Sequence, residues 1–412
     1  MLRLKKFKWI DNLAIPIILL SNFSLSQETN TKSFTYLHFN GESSFWSRHN
    51  NYGFDSIDSD FSIKLDGTKK NIEYQIHFIK KENQIYFSES FLSLKIKNNS
   101  NIKFGRYYRD FSSYLNDNLS SGSLLISRNS MPMPKIGLSS NFFPKNKNNS
   151  TFFKYGISHA FFAKTDTYIK APYLHEKFIY LISEKNNISY GVGLVHEAMW
   201  GGGTNKINNF PSSFKDFIKV FISADGPQRA GEVHANALGN HIGIWDFFYR
   251  KKTSNQNLTL YYQHIFEDTS GLRFANSIDG LWGINIKNHS KKFELNIEYL
   301  ITTNQNNDPP YVNESYYNHY QYLEGWSYKN FSLGNPFINF LNVNPTEVLH
   351  LGFQKGFNSK KLQILISKSI DSSDLFDYQI TATNQFKNFQ FSGIVNGNHS
   401  RKNLGLMLSY QF

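Results

Sequence analysis

The sequence predicts an all-β fold: a transmembrane antiparallel β-barrel of about 18 strands that carries a short helical element. Three observations favour it. Apolar and polar residues alternate with period 2 along most of the chain, polar turn-forming stretches separate these runs, and the chain ends inside such a run. The composition agrees, because the 412 residues include 38 Phe and 24 Tyr, which suit pleated and half-buried surfaces.

Residues 1–26 have the pattern of an export signal. Basic residues between Arg3 and Lys8 precede the apolar stretch Leu13–Leu20, and Ser24 and Ser26 occupy the two small-residue positions of a cleavage site. We therefore expect the mature chain to span 27–412. Beyond this signal no apolar run approaches the roughly 20 residues that a membrane helix requires, which leaves a soluble β protein or a membrane barrel.

The C-terminus favours the barrel over a soluble β-sandwich, whose strands also alternate. Within Leu404–Phe412 every second residue is Leu, Tyr or Phe, up to the terminal carboxylate. This pattern resembles the strand that the outer-membrane barrel assembly machinery recognises, whereas soluble domains rarely end their last strand without a polar tail. With roughly 10 residues per strand and about 11 per connection, the mature length gives about 18 strands. The neighbouring even numbers, sixteen and twenty, stay open.

Two stretches depart from the β pattern. Phe214, Phe217, Ile218 and Phe221 follow the spacing of one helix face. Ser213, with Asp216 three residues later, resembles a capping box, so we expect a helical insert near 213–223 in a long connection. Residues 119–138 are not expected to form a simple strand, because the two prolines at 132 and 134 remove ladder donors.

Most catalytic chemistry is excluded. The chain has no Cys, which removes disulfides, thiolate metal sites and Cys nucleophiles. His196-Glu197 begins like a zinc-protease motif, but Trp200 stands where the second His is required. We predict no catalytic residue, no metal and no cofactor, hence no enzyme. The net charge of +12 comes from scattered rather than clustered lysines, so nucleic acid is not an expected partner.

Four stretches concentrate aromatic, amide and acidic residues, namely 196–203, 236–246, 267–282 and 316–337. Sugar sites have this composition, because an aromatic face stacks on a pyranose while polar side chains pair with its hydroxyls. The alternative is that the same residues plug the barrel lumen or form interfacial belts. Basic pairs such as Lys251–Lys252 could meet lipid or lipopolysaccharide phosphates at a membrane rim, or be ordinary solvated turns.

Six ordered stretches, at 119–138, 190–202, 210–221, 236–247, 261–284 and 316–337, resemble the capsule assembly Wzi family in its Bacteroidetes form. They include YGVGLVHEAMWGG, NALGNHIGIWDF and YYNHYQYLEGWSYKNFSLGNPF. The resemblance implies an outer-membrane barrel of about 18 strands with a small helical element on the periplasmic side. It also implies a lectin-like anchor that holds capsular or other surface polysaccharide on the cell. We expect the protein to be a monomer. The chain is shorter than enterobacterial members, so their periplasmic helical bundle is expected to be reduced.

If the protein is a lectin-like anchor, Trp200, Trp282 and Trp326 are the predicted residues that stack on sugar rings. The predicted polar contacts are Asn240, His241, Glu267, Asp268, Asp279, Asn318, His319 and Asn335. A porin-like diffusion channel is the alternative, with selectivity set by lumen-facing residues of 72–80 and 293–301. A barrel enzyme is a third class, which requires a Ser or Asp/His constellation that converges in space.

Overall fold

The computed structural model describes residues 31–40, 44–53, 60–81, 84–96, 99–142, 150–227, 236–305, 316–370 and 375–411. The predicted export signal and Phe412, with which the predicted last strand ends, lie outside the described residues. The helices are α1 Phe45–Arg48, α2 Phe214–Phe221 and α3 Thr269–Leu272. No helix among the described residues is long and apolar enough to cross a membrane.

The strands have the following bounds: β1 Thr31–Asn40, β2 Asp60–Lys69, β3 Ile72–Lys81, β4 Gln84–Phe87, β5 Ser90–Ile96, β6 Ser100–Arg106, β7 Pro134–Phe142, β8 Thr151–Phe161, β9 Tyr168–Lys170, β10 Tyr173–Lys185, β11 Ile188–Trp200, β12 Gly203–Thr204, β13 Asn240–Lys252, β14 Gln256–Phe266, β15 Gly280–Asn288, β16 Phe293–Ile301, β17 Ser327–Tyr328, β18 Phe331–Ser332, β19 Glu347–Phe357, β20 Lys360–Ser369, β21 Phe376–Phe386, β22 Phe389–Asn398 and β23 Lys402–Gln411.

The long strands form a single antiparallel meander whose pairing is cyclic. The main sheet has 19 strands, of which β4 and β5 both pair with β3 and act as one interrupted strand, so the wall contains 18. Each wall strand pairs with the next one along the chain. The last strand, β23, returns to β1, with Ser33 opposite Gln411 and Asn40 opposite Leu404. The predicted antiparallel barrel of about 18 strands is confirmed.

The two ends of the barrel differ in the length of their connections. The end that holds the start of β1 and the end of β23 has tight turns, such as 186–187 and 387–388. Asn186 and Asn187 both have positive φ, as a two-residue hairpin turn requires. The opposite end, which we call the outer end, carries the long connections between strands. In bacterial outer-membrane barrels the short turns are periplasmic and the long loops extracellular.

The wall has an apolar outer face and a polar lumen face. On β10, Ile179 and Leu181 are exposed on the outer face, whereas Glu176 and Tyr180, at alternate positions, are buried in the lumen. The same alternation holds on β23, where Leu404 and Leu406 are exposed. A lipid-facing apolar band on alternate positions explains why the sequence alternates with period 2.

Two connections from the outer end enter the lumen and plug it, and we use the term filled lumen in this sense. The first, residues 107–133 between β6 and β7, is called the lumen strap. The second, residues 316–340 within the β16–β19 connection, is called the cap segment. Both contribute fully buried side chains to the main apolar core, among them Phe111, Leu124 and Trp326. The strap ends where β7 begins at Pro134, because the first residue of a strand tolerates proline.

Helix α2 begins after the N-cap Ser213, whose hydroxyl accepts a hydrogen bond from the amide of Asp216 at 3.3 Å. It lies within the range predicted for a helical insert, but its position differs from the family-based expectation of a periplasmic element. The helix belongs to the β11–β13 connection at the outer end. It packs on the outside of the wall, where Phe217 lies against Trp200 at a ring separation of 5.5 Å.

Candidate functional site

Buried polar side chains of the wall hold the lumen strap in place. The carboxylate of Glu298 accepts hydrogen bonds from the Ser120 hydroxyl and the Ser121 amide, both at 2.6 Å, and from the Tyr261 hydroxyl. Gln263 accepts from the Leu124 amide at 3.0 Å. These contacts give buried hydrogen-bond donors of the strap a partner in place of water. Inward-facing side chains of the wall therefore fix the strap across the lumen.

Asp246 on β13 holds the first part of the strap. Its carboxylate accepts from the Ser112 hydroxyl at 2.6 Å and from the hydroxyls of Tyr114 and Tyr180. Lys135, next to the strap, is paired with Glu176 at 3.0 Å in a fully enclosed ion pair. A buried charge of this kind is tolerated only when it is paired and hydrogen-bonded, and Glu176 meets that condition because it also accepts from the Ser158 hydroxyl at 2.8 Å.

The cap segment lies on the strap and is bonded to it along its length. The indole of Trp326 donates to the Leu125 carbonyl at 2.9 Å, and the side-chain amide of Asn335 donates to the Gly122 carbonyl at 2.9 Å. The Ser127 amide donates to the Leu333 carbonyl at 2.8 Å. Trp326 and Asn335, both predicted as sugar contacts, are completely buried and here hold cap and strap together.

Three connections meet at the outer end and form what we call the outer-end surface: residues 162–172, 201–210 and 316–326. The last of these is the first part of the cap segment. The Tyr322 hydroxyl donates to the Gly201 carbonyl at 3.3 Å, and the Glu324 amide donates to the Tyr168 hydroxyl at 3.3 Å. The Thr165 hydroxyl donates to the Glu324 carboxylate. The surface is therefore a continuous layer joined to the filled lumen beneath it.

The outer-end surface presents an aromatic pair to its surroundings. Tyr320 is 55% exposed, and its ring lies against the ring of His319 at 4.4 Å with an interplanar angle of 30°. The amides of Gln321 and Tyr322 donate to Nδ1 of His319 at 3.1 and 3.2 Å, which fixes the imidazole. Asn318 is half-buried beside it. Of the predicted residues, His319 and Asn318 are the two that this surface brings together.

Tyr320 was not among the residues singled out from the sequence. Its signal is the density of aromatic and amide residues at 316–322, which marks the segment but does not say which ring points outward. The exposed lysines of the same connections, Lys164, Lys170 and Lys206, were also missed. These three lysines outnumber the two acids of the same connections, Asp166 and Glu324.

Asp279 and its neighbours form a separate, buried polar group in the β14–β15 connection. The Asp279 carboxylate accepts from the Asn304 amide at 3.0 Å and from the Tyr316 hydroxyl at 2.6 Å. Burial raises the pKa of Asp279 above its ordinary value, against the effect of these donors. Asp268 accepts from the Gly271 amide at 2.8 Å at the start of α3, and Glu267 is half-buried beside it. Asp279 therefore joins the β14–β15 connection to the β16–β19 connection.

Of the remaining predicted residues, Trp200, His241 and Trp282 lie on the outer face of the wall, whereas Asn240 lies on the lumen face of β13, which it shares with Asp246. Trp200 is buried beneath α2, and His241 contacts Nε2 of His196 through its Nδ1 at 2.9 Å. Asn240 is buried beside Met199. Trp282 stacks on Tyr262 with ring centroids 3.7 Å apart on the lipid-facing side, the position of an interfacial aromatic belt.

A serine–histidine contact exists on the same outer wall, but it lacks the arrangement of a nucleophile and base. The Ser223 hydroxyl lies 3.2 Å from Nε2 of His196, the same nitrogen that His241 contacts. A catalytic base uses one nitrogen for the nucleophile and the other for an orienting acceptor. Nδ1 of His196 has no hydrogen-bond partner among the described residues. Among the described residues, too, no group of three or more acidic or His side chains is arranged to hold a metal ion.

The cyclic wall and the filled lumen define a β-barrel protein of the outer-membrane type. The model of the family described as capsule assembly protein Wzi matches residues 25–339. This match covers well over half of the chain, and the chain belongs to that family. The family assignment made from the sequence is confirmed, and the protein is an outer-membrane capsule assembly protein.

Solved structures similar to the model include variants of the Rhodopseudomonas blastica porin. One variant with five substitutions is 9% identical, with a TM-score of 0.39, and the alignment covers 93% of this chain and 99% of the porin chain. A triple mutant of the same porin is 10% identical, with a TM-score of 0.37 and the same coverage. A comparison with curated proteins gives no significant match.

Proposed function

We propose that the protein is a non-catalytic, lectin-like anchor whose outer-end surface holds an exported capsular or related polysaccharide on the cell. The observation that carries this proposal is the exposed Tyr320 ring beside His319, presented on a layer that is fixed to the filled lumen. A stationary aromatic face next to amide groups is what stacking on a pyranose requires. Lys164, Lys170 and Lys206 outnumber the acids Asp166 and Glu324 on this surface, a balance that favours an acidic polymer.

The filled lumen supports an anchor over a diffusion channel. A wall of about 18 strands encloses a lumen wide enough for solutes unless it is plugged. Here the strap is held by Glu298, Gln263 and Asp246, and the cap segment covers it. Binding at the outer end does not require passage through the barrel.

The test is to delete the gene and to measure surface polysaccharide separately on the cells and in the culture medium. An anchor predicts that polymer moves from cells to medium while total synthesis is unchanged. If cell-bound polymer is unchanged and uptake of small solutes falls instead, the anchor proposal is wrong and a channel replaces it.

Point variants in the deleted strain then test the surface itself. Tyr320→Ala removes the stacking ring, which contributes about 0.5–1.5 kcal/mol, so the affinity of the purified protein for short oligosaccharides of the polymer should fall about threefold to tenfold. Tyr320→Trp keeps an aromatic face and should restore binding. Leu341→Ala, at an exposed residue of the same β16–β19 connection, is the matched control. Equal binding by all three variants would remove Tyr320 from the site.

A further inference from the structure

Helix α2 rests on the outer wall, where a membrane protein meets lipid. Phe217 contacts His175 and Trp200 at ring separations of 5.3 and 5.5 Å, and the ammonium of Lys177 donates to the Phe221 carbonyl. Val220 is fully buried between the helix and the wall. The helix therefore has a wall-facing side, formed mainly by Phe217 and Val220.

The parity of the strands shows that this is the lipid-facing side of the wall. His175 and Lys177 share the face of β10 that carries Ile179, which is 50% exposed further along the same strand. On β11, Trp200 shares its face with the exposed residues Tyr190 and Val192. Since side chains alternate strictly along a strand, the face beneath α2 continues directly into the apolar band.

The side of α2 turned away from the wall is also apolar. Phe214 is 79% exposed and Ile222 64%, and Ile218 between them is 43% exposed. Their spacing places them in one stripe along the helix. Phe221 flanks this stripe and contacts His175 and Lys177, which precede Ile179 on the same face of β10. The exposed stripe thus points along the wall toward the apolar band.

A second stripe of α2 is basic. Lys215 and Lys219 are one helical turn apart and lie beside the apolar stripe on the flank that does not carry Phe221. The Lys219 ammonium donates to the Asp225 carbonyl at 3.2 Å. An amphipathic helix with apolar residues on one flank and lysines on the other has the composition of an element that lies in a membrane interface.

We propose that α2 is a lipid-binding element of the outer membrane. Phe214, Ile218 and Ile222 lie among the acyl chains at the boundary of the apolar band, and Lys215 and Lys219 meet the phosphates of the lipid headgroups. The helix also shields the wall residues His175, Lys177, His196 and His241, which would otherwise present polar groups to hydrocarbon at a cost. In this position α2 buries its wall-facing side against the barrel and its exposed apolar stripe in lipid, which explains why the helix lies against the wall.

The absence of Cys from the sequence allows a direct test with single-cysteine spin labels in the full chain, reconstituted in phospholipid vesicles. Three variants are compared: Ile218→Cys on α2, Leu181→Cys on the apolar band, and Leu341→Cys in an exposed outer-end connection. Accessibility to oxygen and to a water-soluble nickel complex is measured for each. Oxygen should exceed nickel at residues 181 and 218, and the order should be reversed at residue 341. If residue 218 behaves like residue 341, the proposal fails.

The phosphate contact is tested separately with Lys215→Gln/Lys219→Gln in the Ile218→Cys background. Vesicles of phosphatidylcholine alone are compared with vesicles that also contain lipopolysaccharide. If the lysines bind lipopolysaccharide phosphates, adding lipopolysaccharide lowers nickel accessibility at residue 218 in the parent and leaves the double variant unchanged. A difference between the two proteins that is already present without lipopolysaccharide assigns the contact to phospholipid phosphate. Identical behaviour of both proteins in every vesicle refutes the phosphate contact. None of these results depends on polysaccharide binding, so the proposed function stands or falls separately.

Discussion

Glu298 should control how firmly the lumen strap is docked. Its carboxylate is enclosed in the lumen and accepts three hydrogen bonds, two of them from consecutive strap residues, Ser120 and Ser121. The third comes from the hydroxyl of Tyr261 on β14, which is separated from the strand of Glu298 by β15. The substitution Glu298→Ala removes the acceptor and leaves all three donors in place.

The magnitude follows from these contacts. A hydrogen bond to a charged group contributes about 1.5–3 kcal/mol, and a buried donor left unpaired costs about 1–3 kcal/mol. Two strap donors lose their partner, and neighbouring effects do not add fully, so we expect docking of this part of the strap to weaken by about 3 kcal/mol. Since about 1.4 kcal/mol corresponds to a factor of ten, the open population of the strap should rise about a hundredfold.

Hydrogen–deuterium exchange of the full chain in detergent measures this population through the protection of amides near Ser121 and Leu124. Glu73→Ala is the matched control. Glu73 is an exposed glutamate on the lumen face of β3, and none of the hydrogen bonds of the described residues joins it to the strap. Protection of the strap should fall in Glu298→Ala and persist in the control. Unchanged protection in Glu298→Ala would show that the Glu298 contacts do not hold the strap in the lumen.

Three further outcomes are expected. Gly283→Ala would place its methyl group about 2.0 Å from the Tyr261 ring and should destabilise the protein by about 1–3 kcal/mol, seen as a lower unfolding midpoint; Gly393→Ala, with no atom within 4 Å of the new methyl group, should have no comparable effect. Hydrogen bonds from Ser213 hold the pKa of Asp216 below its ordinary value of 3.8. The folded-state pKa is thus the lower one, and the capping contribution is present above 3.8 and lost as the pH falls below it. A spin label on α2 should gain mobility on acidification, and Asp216→Asn should abolish this dependence on pH. In planar bilayers the wild-type chain should show no stable large conductance, and a steady open state would contradict the filled lumen.

The wall could be predicted from sequence because its pattern is local. Alternation at 72–80 and 293–301 reports a strand with one apolar and one polar side, and both segments are wall strands in the structure. The helix was predictable for the same reason, since Ser213 and Asp216 lie three residues apart at its start. A capping contact depends on neighbours in the chain rather than on the rest of the fold.

The site could be predicted only as a set of stretches. Trp200 and Trp326 belong to similar aromatic stretches, yet one lies outside the wall beneath α2 and the other deep in the lumen. The period-2 alternation shows that neighbouring residues of a strand face opposite sides of the wall. Whether a given side is buried depends on a segment that lies far away in the sequence. Trp326 is buried because its connection bonds to Leu125, some two hundred residues earlier in the chain. No local pattern in the sequence specifies such a partner.

The filled lumen has a consequence for binding that an open barrel would lack. Surface loops of a wide barrel are ordinarily mobile, and a ligand that orders them loses affinity through the entropy of ordering. Here the segment that presents Tyr320 continues directly into Tyr322 and Trp326, which are buried and bonded to Gly201 and Leu125. The aromatic face is thus held by the same contacts that close the lumen. Loosening the strap at Glu298 should therefore also weaken oligosaccharide binding at the outer end, although no strap residue touches the polymer. If the Glu298→Ala variant binds oligosaccharide as tightly as the wild type while its strap exchanges freely, the two layers are independent and this link is wrong.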